Sequence, residues 1–180
     1  MCEMGGTGSG RSPGGGSAKE TVEGCLILSA DRLVRHKMLR QDLALQSSLT
    51  WTNTTTGEKL SSCGYEVDTR DMAAPWIRLF YQITNSGEQI DYRVRLTTTP
   101  LPWGGFRWWF ICPLFVSGRA CLRRCGKLYL PSGGRYYGCR RCYDLTYTSC
   151  QESHQFDRLY RRIAAETGFS PALLKKALKT

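Results

Sequence analysis

Histidine is nearly missing from this chain. Two occur in 180 residues, His36 and His154. Neither stands in an acid–base constellation, so the side chain best suited to proton transfer at neutral pH has no evident role. Cys150 and His154 lie one helical turn apart, but no third group orients them as nucleophile and base. No catalytic residue is assigned, and an enzyme with an unlocated site ranks third behind two binding functions. Long hydrophobic runs are missing too. No stretch approaches the roughly 18 apolar residues that a membrane span requires. The first residues lack the charged-then-apolar layout of a secretion signal. These absences predict a cytoplasmic protein with no membrane partner, and no small-molecule substrate is evident. At 180 residues, with 41% hydrophobic and 22% charged side chains, the chain has room for one modest core and a satellite module.

Cysteine and positive charge are plentiful, and they share one end of the chain. An odd number of cysteines, nine, in a reducing compartment reads as metal ligation plus spare thiols rather than disulfides. Residues 1–102 hold 11 Lys/Arg against 11 Asp/Glu, whereas residues 103–180 hold 14 against 4. The whole formal excess of +10 therefore sits beside the cysteine cluster.

Composition divides the chain into four parts. Residues 1–18 are mostly Gly and Ser and read as a disordered tail. Within them Gly5 to Ser12 imitates a phosphate-binding loop, but Arg11 stands where Lys is required and no apolar strand precedes it. Residues 19–102 read as an antiparallel β-rich module with a short helix. Cys25–Leu28 predicts a strand, Ser29 or Asp31 a helix cap, and alternation predicts strands near 49–54, 60–69, 76–84 and 89–98. Residues 103–150 read as a zinc ribbon, and residues 151–180 as a pair of helices. The first of these opens with a Ser149-x-x-Glu152 capping box and ends at Gly168. The predicted fold class is α+β: a small antiparallel sheet continuing into a zinc ribbon, with a C-terminal helical pair. Residues 163–174 also have helix-turn-helix spacing around Gly168.

Zinc requires four deprotonated ligands converging tetrahedrally, and two cysteines two residues apart supply half of them from one tight turn. Cys139 and Cys142 are that half, fed by a hairpin over Leu128–Gly138. Cys112-Pro113 begins the other half. Its partner is Cys121, after eight intervening residues, or Cys125, after twelve. Seventeen residues between Cys121 and Cys139 fit ribbon spacing better than the thirteen that Cys125 leaves. A hairpin register pairing Leu130 with Arg135 instead brings Cys125 beside the second knuckle, so both remain open on these grounds. Either closes a site for one structural Zn²⁺.

Around these cysteines Arg123, Arg124, Lys127, Arg135, Arg140 and Arg141 are interleaved with tyrosines, including Tyr136 and Tyr137. Arginines suit phosphates and exposed rings suit unpaired bases, so these eight residues are the candidate nucleic-acid surface, for DNA or RNA. The leading function is a nucleic-acid-binding accessory protein. The alternative is a protein-interaction adaptor for replication, transcription or phage assembly, presenting the ribbon and the Trp-rich segment 103–110.

The segments GGFRWWFICP, KLYLPSGG and CRRCYDLTY give the pattern GG-x-RWWF-x-CP, KLYLP-x-GG and C-x2-C-x-x-LTY. In this the chain resembles a family of uncharacterised bacterial and phage-borne proteins over most of residues 60–153. The resemblance implies that the first knuckle closes at Cys121, with an apolar residue usual at the position of Cys125. It implies no activity.

Overall fold

The computed structural model describes residues 19–53, 55–84, 86–152, 157–170 and 173. The expected Gly/Ser tail lies outside these residues, as does most of the last expected helix. Strand β1 (Leu26–Ser29) runs directly into helix α1 (Ala30–Arg35), whose first turn is capped by the Ser29 hydroxyl accepting from Arg32 N–H at 3.4 Å. Four long strands follow: β2 (Ala44–Thr52), β3 (Lys59–Asp68), β4 (Trp76–Gln82) and β5 (Gln89–Pro100). After Trp103-Gly104-Gly105 come β6 (Phe106–Ile111), the two-residue strands β7 (Phe115–Val116), β8 (Arg119–Ala120) and β9 (Arg124–Cys125), then β10 (Lys127–Leu130). Helices α2 (Thr148–Glu152) and α3 (Asp157–Thr167) complete the described chain. The protein is thus mostly antiparallel sheet with a few short helices.

Period-two alternation builds the main sheet. Six strands lie in the order β2-β3-β4-β5-β6-β9 as a curled antiparallel half-barrel. Cys63, Tyr65 and Val67 of β3, Ile77 and Leu79 of β4, Val94 and Leu96 of β5, and Trp108 and Phe110 of β6 are all buried in one core. Each is separated from the next on its strand by one residue that faces away. On the other face Arg78 forms ion pairs with Asp91 at 2.6 Å and Glu66 at 3.3 Å. At the cross-strand pair of Gly64 and Phe80, the ring lies where a side chain would stand, its Cε2 only 2.0 Å from an ideal Cβ on Gly64.

A second, two-stranded sheet closes the core. β1 pairs antiparallel with β10 from Leu26 opposite Leu130 to Ser29 opposite Lys127, joining segments about a hundred residues apart in sequence. It contributes Leu28 and Leu128 to the core, and α1 adds Leu33. Helix α2 begins at Thr148, so Ser149 sits inside its first turn rather than at the expected cap. Its N-terminus is satisfied from far away: Thr148 N–H and hydroxyl donate to the Glu23 carboxylate at 3.1 and 3.0 Å. Helix α3 ends as expected, with Gly168 at φ +73° and its N–H on the Ala164 carbonyl at 2.9 Å.

One buried hydroxyl fixes the passage from α1 to the sheet. Thr69 is fully buried; its hydroxyl donates to the Arg40 carbonyl at 2.6 Å and accepts from Leu43 N–H at 3.0 Å. Thr69→Val preserves shape but strands both backbone groups, so unfolding in urea should show a loss of about 1–3 kcal/mol with an unchanged denaturant slope. A variant as stable as the parent would show that these groups find other partners.

Candidate metal centre and its basic surroundings

The second knuckle is held by a single β-bridge. Tyr129 and Gly138 exchange backbone hydrogen bonds of 2.8 and 2.9 Å, which places Cys139 at the end of the arm. Cys142 N–H then donates to the Cys139 carbonyl at 3.0 Å, and the turn presents both sulfurs on one side. Glycine is required before the knuckle, because a Cβ at Gly138 would lie 2.1 Å from Leu114 Cδ1 and 2.9 Å from Tyr143 Cε2.

The first knuckle is widened by a hairpin. Beyond β6, Cys112 N–H donates to the Arg123 carbonyl at 2.9 Å. The chain leaves in β7, turns at Ser117 and Gly118 with φ of 51° and 76°, and returns in β8. Two successive positive φ values are the signature of the tight turn that matches strand twist. Cys121 N–H bonds the Leu114 carbonyl at 2.8 Å, so the excursion closes on itself and returns its second cysteine to the first.

Cys112, Cys121, Cys139 and Cys142 place their sulfurs within 4.8 Å of one another, close enough to bind a metal ion. Individual separations are 3.8 Å for Cys112–Cys142, 3.9 Å for Cys121–Cys139 and 3.5 Å for Cys139–Cys142. Four sulfurs at about 2.3 Å from a tetrahedral ion are about 3.8 Å apart, and these three separations lie close to that value. Cys125 lies outside the cluster. Its thiol points to the carbonyls of Phe110 and Arg123, both at 3.6 Å, from a β9 position opposite Phe110. The expected pairing of Leu130 with Arg135 does not form, because Tyr129 faces Gly138 and β10 takes β1 as its strand partner. Counting back along the hairpin therefore does not locate Cys125.

Burial pushes the Cys112 thiol up to about 11 and that of Cys142 higher still, the latter helped by its neighbouring thiols. Burial also opposes ionisation of Cys139. Hydrogen bonds from Cys142 and the Arg123 guanidinium outweigh it and bring this thiol down to about 7. Arg123 Nη1 reaches Cys139 Sγ at 3.5 Å and Cys121 Sγ at 3.9 Å, supplying positive charge beside the sulfurs.

The residues of the expected nucleic-acid surface separate. Arg140, Arg141 and Lys127 are exposed. Arg124 lies over the Trp109 ring at 5.2 Å and donates to the Thr99 hydroxyl at 3.3 Å. Arg135 is ion-paired with Glu88, and its carbonyl accepts from the Tyr81 hydroxyl at 2.6 Å. Tyr136 keeps an exposed side while its ring meets Tyr92 edge-on at 5.1 Å. Tyr137 does not lie on the surface: it is 1% exposed, stacked on Trp51 at 6.1 Å and met edge-on by Tyr81 at 5.9 Å. It anchors the arm to the sheet, as an aromatic ring on a short hairpin does where little else can fill the gap. Arg107 and Trp109, expected only as part of the Trp-rich docking segment, and Tyr147, not singled out at all, border the basic face. The alternation in Arg107-Trp108-Trp109-Phe110, with Trp108 and Phe110 buried, carries the signal for the first two.

No family model, curated protein or solved structure matches the chain.

Gly138→Ala tests whether the knuckle geometry matters. The added methyl must displace Leu114 or Tyr143 and spread the two knuckles. Cobalt titration, with the visible absorption of tetrahedral thiolate coordination as readout, should then show affinity at least tenfold weaker than for the parent. Equal affinity would mean that the knuckles are not held by this contact.

Proposed function

We propose that the four cysteines hold one structural Zn²⁺ in a ribbon-type site, and that the basic face around it binds nucleic acid. The four-sulfur cluster carries the reading. Soft thiolates favour zinc among the common ions. A set of four leaves no open position for a substrate or water, which suits a structural rather than a catalytic ion. The likeness to the bacterial and phage-borne family belongs to the same proposal, since it names the same four ligands. Nucleic-acid binding is supported by the 14 basic residues against 4 acidic ones over residues 103–180, and by exposed Lys127, Arg140 and Arg141 beside the site.

One observation favours protein docking as a second reading. The β7–β8 hairpin carries Phe115 at 74% exposure, close in sequence to exposed Val116 and Leu122, and Trp103 is 96% exposed. Apolar side chains so open to solvent mark contact surfaces when they are contiguous.

Elemental analysis of the purified protein should find one zinc per chain. Cys121→Ser should lose it and Cys125→Val should keep it, because an apolar side chain fills a strand position that makes no metal bond. The reverse pattern would move the fourth ligand to Cys125. A folded, metal-free preparation would remove the zinc altogether. Neutralising Arg140 and Arg141 to Gln together should leave zinc content unchanged. It should also reduce the slope of log affinity against log salt by about two on duplex DNA. Binding to a protein bait that ignores salt, with no nucleic acid bound at micromolar concentration, would select the docking reading instead.

A further inference from the structure

Beside the cysteine cluster, β6, β10 and the second knuckle border a shallow, open cleft of about 330 Å³. Arg107 and Trp109 come from β6, Lys127 from β10, Arg140 and Arg141 from the knuckle, and Tyr147 from the segment before α2. Arg123 also reaches its wall, though its guanidinium is already engaged with sulfur. Among the described residues no Asp or Glu lines it. Five cations converge on one cavity; the Asp31 carboxylate, itself paired with Arg35, acts on Arg107 and Lys127 from outside it, which leaves Arg140 and Arg141 for an added anion to neutralise. The volume is at the lower end of ligand pockets, about 300–1,000 Å³. It admits one phosphate and one flat ring, not a stretch of helix.

The flat surfaces are stacked already. Arg107 lies over the Trp109 ring at 4.5 Å, and Arg140 over Tyr147 at 5.2 Å, with Tyr147 itself 40% exposed. Guanidinium planes and aromatic faces both accept an unpaired base, and a base inside a duplex cannot offer its face to either. Resting on the nucleic-acid reading above, we propose that this cleft takes one phosphate and one unpaired base of a single strand. Lys127, Arg140 and Arg141 receive the phosphate; the Tyr147 ring and the Arg107 plane receive the base.

The test uses the full, zinc-loaded chain with three probes: a fluorescein-labelled twelve-nucleotide oligothymidine, a duplex of the same length, and free ATP as competitor. Tyr147→Leu and Arg107→Gln should each weaken single-strand binding by about tenfold or more, in line with stacking measured in other proteins. Duplex binding should change less than twofold. Tyr147→Phe should bind like the parent, because it keeps the ring. Lys59→Gln, at the start of β3, should change nothing, and zinc content reports folding for every variant. Nucleic-acid binding that ignores both cleft variants, or loses single strand and duplex equally, overturns the cleft assignment and leaves the broader reading standing. ATP bound in the cleft with no affinity for strands overturns it in favour of a free nucleotide. No binding to any probe removes both.

Discussion

Four sulfurs gathered within 4.8 Å cannot all ionise unless a cation sits among them. Burial raises the Cys112 and Cys142 thiols, whereas hydrogen bonds, one of them from Arg123, bring Cys139 toward the thiolate. The segment around them has few other means of support. Between Cys112 and Cys142 only Leu128 and Tyr137 belong to the main core as fully buried side chains; β10 is tied to β1 over four residues, but the return arm is joined to β10 by the single Tyr129–Gly138 bridge, and β7–β8 is a hairpin of two paired residues on each side. A bound ion would therefore supply much of the local folding free energy, as it does in small metal modules generally.

The rest of the fold positions this segment, which in return supplies Leu128 and Tyr137 to the core. The main sheet is closed by β1 with α1 on one side and by the ring of Tyr137 on another, so the arm docks where Trp51, Tyr81 and Tyr92 leave a place for one aromatic side chain. The Tyr137 backbone N–H on the Tyr92 hydroxyl at 2.8 Å fixes the height of the arm above the sheet. Together with the β1–β10 pairing, this aims the knuckle at Cys112, where β6 ends.

β3 and β5 were legible because buried and open positions alternate strictly along most of their length, and β3, β4 and β5 lie within a few residues of their expected limits; β2, whose alternation breaks at Ser47, begins five residues before its expected start at 49. Cys112, Cys139 and Cys142 were legible because their turns carry proline or glycine at the knuckle. Pairing between distant segments was not legible. Nothing local in Leu26–Ser29 names Lys127–Leu130 as its partner, and without that pairing the hairpin register pointed to Cys125. Tyr136 and Tyr137 look alike in sequence, yet one is exposed and the other fills the core; a neighbour on another strand makes the difference. The border of the basic face was missed for a similar reason. Arg107 and Tyr147 are forty residues apart in the chain and meet only once β6 and the knuckle are placed.

The β7–β8 hairpin changes what cysteine spacing means in this chain. Its base is closed by the hydrogen bond from Cys121 to Leu114, and its tip at Ser117-Gly118 stands in solvent. Residues added or removed in pairs at that tip would lengthen or shorten the hairpin and leave the two sulfurs where they are. The distance along the chain between Cys112 and Cys121 is thus a free length, while the distance through space is fixed. A sequence pattern with a constant gap between these two cysteines therefore encodes a length that the site itself does not require.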